Sequence, residues 1–304
     1  MQTTAIFEQV GRVVREAVGA TGLPASLQSL LLDALSREGK ALAPAAGREP
    51  RWPALVLASA EAAGGDPAAA VVVAAAVDAF IAALDILDEI EDGDASALIA
   101  AAGMPRALNA STALLCLAQR LLGDLGRAGV PAARVPAFLA ALAEAGLAAT
   151  GGQHLDLTAE GRAETTPEDA VEIARRKAGT LVAGAFRLGA LLGTADEALL
   201  GRYADLGRHY GAAAQLANDL HDVANPERKT DLARGKGTLP LVYDRRGATG
   251  AAGDDAPPAE RLRRSGALHF TWVVIELERQ ACTRILGELR ERGQATAWLE
   301  RLLA

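Results

Sequence analysis

The sequence predicts an all-α fold, on three observations. Half of the 304 residues are hydrophobic but only 4% are aromatic, the apolar mass being mostly Ala, Leu and Val. Period-two runs of β-branched and aromatic residues, the mark of strands, are missing. Apolar residues instead recur at three- and four-residue intervals between Gly and Pro punctuation. With no fixed-period repeat and no sharp change of composition, one all-α domain over residues 1–304 is the simplest organisation.

Two amphipathic helices, Thr4 to Val18 and Ala25 to Ser36, are divided by Thr-Gly-Leu-Pro. A loop from Gly39 to Pro53 holds Arg48 and Arg51, and a helix from Ala54 to Ala63 stops at Gly64-Gly65. Pro67 opens a long helix that ends at Gly93. The next helices run from Gly103-Met-Pro105 to near Gly126 and from Val135 to Thr150, the latter continued by Gly151-Gly-Gln-His-Leu-Asp-Leu157. Thr166-Pro-Glu-Asp169 is a helix start, with Pro at the first position and acids in the first turn, and its helix runs through Lys177 towards Leu192. Ala195 to Val223 is helical; Asn225 to Pro240 is a charged, glycine-containing loop, and Gly247 to Pro258 is compositionally a flexible excursion. Ala259 to Arg292, in one or two pieces, and Gln294 to Leu303 close the chain.

A net charge of -7 with no basic tract beyond short Arg pairs argues against a nucleic-acid partner. The N-terminus, with Glu8, lacks the layout of a signal peptide. Ala68 to Leu87 is the most apolar window, but Asp78 and Asp85 interrupt it, which fits a buried helix and no membrane span. Cys116 and Cys282 lie in apolar helical contexts without Cys-x-x-Cys spacing, as expected of reduced core thiols in a cytoplasmic protein.

Two acidic clusters carry the chemistry. Asp85, Asp88 and Asp92 fall on one face of the long helix, where its C-terminal dipole disfavours negative charge and no Lys or Arg stands in the stretch. Gln215, Asp219 and Asp222 repeat the pattern on a later helix at intervals of four and three. Helices with one acidic and one apolar face can line a bundle interior with oxygen ligands, and a hard divalent cation shared with substrate phosphates would answer the charge. Lys177, and Arg228, Lys229, Arg234 and Lys236 in the following loop, are the cations available to such an anion.

These motifs resemble those of the trans-polyprenyl diphosphate synthase family, from roughly Gly47 to Val242. Asp88-Glu-Ile-Glu-Asp92 and Asn218-Asp-Leu-His-Asp222 correspond to its two D-D-x-x-D motifs. Lys177 matches the lysine of its K-T motif, with Ala178 in place of the threonine; Gln153 and Asp156 fit G-Q-x-x-D-L, and Gln215 fits the glutamine before the second motif. Asp231-Leu-Ala-Arg-Gly-Lys-Gly-Thr-Leu-Pro240 matches D-L-x-x-G-K-x-T-x-P. The resemblance implies an isoprenoid synthase helix bundle around a central cavity and a homodimer. It implies three Mg²⁺ held by Asp88, Asp92, Asn218, Asp219 and Asp222 around an allylic prenyl diphosphate, which Lys177 and Lys236 help neutralise. Ala83, five residues before Asp88, and Phe80 stand where product length is set, and Arg51 lies in the segment that meets the second substrate.

That segment departs from the family. G-G-K-R-x-R-P reads Gly47-Arg-Glu-Pro-Arg-Trp-Pro53, the histidine one helix before the first motif is Ile81, and the segment just after Asp92, Gly-Asp-Ala-Ser-Ala, holds no arginine. Each lost charge-assisted contact to isopentenyl diphosphate is worth on the order of 1.5 to 3 kcal/mol. The departures therefore predict a class I terpene synthase that ionises one diphosphate and lets the cation cyclise or capture water. A prenyltransferase, chain-elongating or with another acceptor, is the alternative. A non-catalytic regulatory subunit is a second alternative, raised by Glu89 and Asn218 where the family has aspartate.

Overall fold

The computed structural model describes residues 2–43, 49, 51–94, 96–162, 164–224, 237–247 and 258–304, and among them every regular element is a helix. The helices are α1 Gln2–Gly19, α2 Ala25–Leu35, α3 Arg51–Ala62, α4 Pro67–Glu91, α5 Ala97–Ala102, α6 Met104–Gly123, α7 Val135–Ala159, α8 Pro167–Ala174, α9 Thr180–Ala190, α10 Glu197–Ala224, α11 Leu239–Gly247, α12 Pro258–Arg264, α13 Ala267–Glu291 and α14 Ala297–Leu303. The chain divides into two compact units. One comprises Met1–Leu142, Ala185–Leu200 and Gln294–Ala304; the other comprises Ala143–Gly184 and Gly201–Gly293. Three of the four divisions fall inside α7, α9 and α10, and the fourth lies between α13 and α14.

The first unit is built on α4. Asp66 caps it, its side chain accepting from the Ala69 amide at 2.9 Å, and Pro67 takes the first turn, where its missing N–H costs nothing. From Ala69 to Ile86 nearly every side chain is buried, against α1, α3 and α6, which explains a run rich in Ala and Val: a helix surrounded by helices has no polar face. By length and composition α4 and the segment Ala132–Ala159 could each cross a membrane; α4 is a core helix, with 78% of its apolar window buried, against 28% for the other.

The second unit packs Ala170 and Ala174 of α8, Ala213 and Leu216 of α10, Leu239 and Val242 of α11 and Ile275 of α13 into one cluster. Thr166 and Asp169 form the reciprocal capping box that the Thr-Pro-Glu-Asp spacing predicts. The Thr166 amide holds the Asp169 carboxyl below its ordinary range.

Several expectations are corrected. Arg51, Trp52 and Pro53 open α3, Pro53 tolerated in the first turn, and are not loop. α5 occupies a stretch to which the sequence reading gives no element, and α11 begins at Leu239, inside the expected Asn225 to Pro240 loop. The helix expected from Thr166 to Leu192 is interrupted by a π turn, Arg175–Gly179. Cys116 is exposed, whereas Cys282 is buried and its thiol is pushed up to about 12, chiefly by burial. The bulk of the Asn225 to Pro240 loop, with Arg228, Lys229, Arg234 and Lys236, lies outside the described residues, as do most of Gly247 to Pro258 and also Gly47, Arg48 and Pro50.

Candidate active site

In the first unit, Asp85, Asp88, Glu89 and Asp92 follow one another over the last two turns of α4 and its C-cap, all partly buried. Protein cations answer Asp85 and Glu89. Lys40, itself 4% exposed, places Nζ 2.7 Å from Asp85 Oδ2, and the Arg37 guanidinium donates to Glu89 Oε1 at 2.5 Å. The crowding that the sequence leaves unexplained is thus relieved at Asp85 and Glu89. Phe80 and Ala83 are both buried on α4, and the Ala83 carbonyl accepts from Ser111 Oγ at 3.0 Å. Ile81, at the histidine position, is 2% exposed. Arg51 is exposed at the start of α3, with its guanidinium carbon 5.9 Å from the centroid of the Trp52 ring.

Lys40 and Arg37 escape sequence reasoning because they reach α4 from the end of α2 and the loop beyond. One signal was available: of the 31 Lys and Arg residues only four are Lys, and Lys40 is the sole one before Lys177.

Two turns before Asp85, Asp78 is fully buried, and its Oδ2 accepts from the Ala41 amide at 2.9 Å. Burial raises its pKa to about 6, against the opposing pull of Lys40. The folded state therefore binds a proton more tightly than the unfolded chain. The contribution of Asp78 to stability is greatest below about pH 4 and declines as pH rises through about 6, a total of on the order of 3 kcal/mol. Asp78→Asn is expected to remove this slope. Its stability relative to the native chain, from urea unfolding, should rise by that order between pH 4 and 7; a pH-independent difference would contradict the account.

In the second unit, α7 carries Gln153 and Asp156, the π turn carries Lys177, and α10 carries Gln215, Asn218, Asp219 and Asp222. Lys177 Nζ lies 2.9 Å from Asp156 Oδ2, each side chain 19% exposed. Gln215 Nε2 donates to Asp219 Oδ1 at 2.9 Å, which aims both side chains along one line of α10. Asn218 is exposed at the edge of that face, and Asp222 is partly buried. Both polar atoms of the Gln153 amide are buried without a hydrogen-bond partner among the described residues, a cost that a polar ligand would relieve. Gly152 lets α7 meet the π turn: a Cβ there would stand 2.5 Å from Arg176 C and Lys177 N. Insertions of this kind concentrate at functional sites, and here the inserted turn presents the lysine.

The rows supply carboxylate and amide oxygens, the ligands a hard divalent cation takes. Among the described residues no three His, Cys, Asp or Glu converge as a self-sufficient metal cage.

The Polyprenyl synthetase family model matches residues 33–255, which include every residue just described. The chain belongs to the polyprenyl synthetase family. It is 31% identical over 228 residues to the short chain isoprenyl diphosphate synthase of Methanothermobacter thermautotrophicus, covering 71% of this chain and 69% of that protein. It is 33% identical over 202 residues to the (2E,6E)-farnesyl diphosphate synthase of Mycobacterium tuberculosis, 63% of this chain and little more than half, 55%, of that protein. The polyprenyl synthetase of Streptomyces coelicolor A3(2) shares the fold with a TM-score of 0.79 at 24% identity, over 99% of this chain and 100% of that one. A decaprenyl diphosphate synthase from Rhodobacter capsulatus gives 0.79 at 19% identity, over 99% and 96%. As a polyprenyl synthetase the chain has the all-α isoprenoid synthase fold.

Proposed function

We propose that this polyprenyl synthetase is a prenyltransferase of the prenyl diphosphate synthase kind, joining an allylic diphosphate to an isopentenyl-type acceptor. The supporting observation is the run of identity with isoprenyl and farnesyl diphosphate synthases, which the cyclase reading lacks. In this reading Asp88, Asp92, Asn218, Asp219 and Asp222 hold Mg²⁺ through their oxygens. The ions, three in the family, supply positive charge to a leaving diphosphate. Lys177 and Lys236 neutralise the same diphosphate, the Gln153 amide donates to its oxygens, and Asp156 and Gln215 orient Lys177 and Asp219. The allylic C–O bond breaks with its electron pair leaving on the diphosphate, the acceptor double bond attacks the allylic carbon, and a proton then passes from the new cation to the released diphosphate, restoring an alkene. Phe80 and Ala83 limit the length of the hydrocarbon. Arg51 meets the acceptor diphosphate, and the protein works as a homodimer in the cytoplasm.

The second reading, a class I terpene synthase, is favoured by one feature: buried Ile81 offers no imidazole where the family binds its acceptor. Incubation with Mg²⁺ and geranyl, farnesyl or geranylgeranyl diphosphate, with and without isopentenyl diphosphate, separates the readings by mass spectrometry. Longer prenyl diphosphates should form only when isopentenyl diphosphate is present. A hydrocarbon or alcohol from the allylic substrate alone would replace this reading with the cyclase. Absence of both, together with no binding of Mg²⁺-diphosphate, would indicate a regulatory subunit.

A further inference from the structure

A π turn holds one residue more than an α-helical turn, and relaxing it would rotate the residues on one side by about 100° against the other. Both ends of Arg175–Gly179 are pinned against that relaxation. At the far end, a Cβ on Gly179 would meet the Arg208 carbonyl oxygen at 2.8 Å, and one on Gly211 would meet Gly179 Cα at 2.7 Å, so α10 lies directly on the turn. At the near end, Arg175 donates from Nε at 3.1 Å and Nη2 at 2.5 Å to a single oxygen, Glu278 Oε1 on α13. The other oxygen, Oε2, is 2.6 Å from His209 Nδ1 of α10. Glu278 is 3% exposed. A carboxylate this deep is tolerated because its two oxygens are met by a guanidinium and an imidazole, and a fixed fork of donors sets orientation as well as charge. Between the pinned ends stands Lys177, turned to Asp156.

We propose that Glu278 is a positioning residue for the prenyl transfer reaction: by clamping Arg175 and His209 it holds the π turn in register on α10, and so aims the Lys177 ammonium. This rests on the reading of Lys177 as a diphosphate-binding cation. Glu278 touches no substrate and acts through the turn alone. The sequence gives little sign of it, since Glu278 lies in a run of alternating charged and apolar residues at the end of the chain, 103 residues from Arg175.

The test is calorimetric binding of inorganic pyrophosphate in Mg²⁺ to the full chain, in the native protein, E278Q, K177M and the E278Q/K177M double variant, with helical content checked by circular dichroism. K177M is expected to weaken binding at least about tenfold, E278Q by a similar factor, and the double variant no further than K177M alone, because two changes acting through one side chain do not add. General loosening of the fold would instead weaken binding by the same factor in either background. E278Q that folds and binds as the native protein does would overturn the proposal, as would additivity in the double variant. Unchanged binding in K177M would remove the reading of Lys177 and the positioning role with it, whereas loss in K177M without loss in E278Q would remove only the latter. Should E278Q lose its helical signal, R175K, which keeps the charge of a side chain 43% exposed but lacks the fork, enters the same cycle and is expected to behave as E278Q.

Discussion

Asp88→Ala is expected to lower the turnover of an allylic diphosphate by about a thousandfold, and Asp219→Ala by a similar factor, in Mg²⁺-saturated assays of diphosphate release. The size follows from what each carboxylate does in the proposed reaction. A leaving diphosphate gathers charge as the C–O bond stretches, and a lost metal ligand withdraws neutralising charge where it is needed most. Asp85→Ala serves as the comparison. Asp85 is bound to Lys40 at 2.7 Å, so its removal should cost stability by leaving a buried ammonium poorly paired, with turnover reduced less than tenfold. Equal losses at Asp85 and Asp88 would show that the row acts as a charge field and not as a set of ligands.

Gly152→Ala is expected to damage both fold and activity, while Gly151→Ala, one residue away, does neither. A Cβ at 151 meets nothing within 4 Å, so alanine there should be neutral or stabilise α7 by up to about 1 kcal/mol. At 152 the added carbon falls 2.5 Å from Arg176 C and Lys177 N, backbone atoms that cannot swing aside. Overpacking of this kind costs about 1 to 3 kcal/mol, more than the helix propensity gained. The relief must come from α7 or the π turn moving, which displaces Lys177 from Asp156 or from its substrate. A shift of about 1 Å at a reacting group lowers rate by about a hundredfold, and that loss is expected in kcat/KM for the allylic diphosphate. Thermal unfolding and initial-rate kinetics of the two variants, side by side, check it.

Much of this was legible in the chain. α4 announced itself through Pro67 and a long apolar run, and α8 through Thr166 and Asp169, because helix-start chemistry acts over a few residues and is local. The π turn left no trace: Arg-Arg-Lys-Ala-Gly is an ordinary helical string, and the extra residue is forced by the approach of α7 and α10 at Gly152 and Gly179. The counter-ions of the first acidic row were equally hidden, since Arg37 stands 52 residues from Glu89 and side-chain pairing across that span depends on how α2 packs. For the site residues, helical spacing puts Gln215 and Asp219 on one face of α10, whereas the pairing of Lys177 with Asp156 comes from the packing of α7 on the π turn. The choice between cyclase and transferase was weighed on three departures from the acceptor motifs. The relatives to which the chain is similar include isoprenyl and farnesyl diphosphate synthases.

In the proposed reaction both acidic rows are needed to hold one magnesium-bound diphosphate. The most direct test of that need is the affinity for pyrophosphate, titrated with and without Mg²⁺, of the native chain and of two double variants, D88N/D92N and D219N/D222N. Metal-dependent binding in the native protein, and its loss by at least about a hundredfold in each variant, is the predicted result. Native-like, Mg²⁺-dependent affinity in either variant would contradict it.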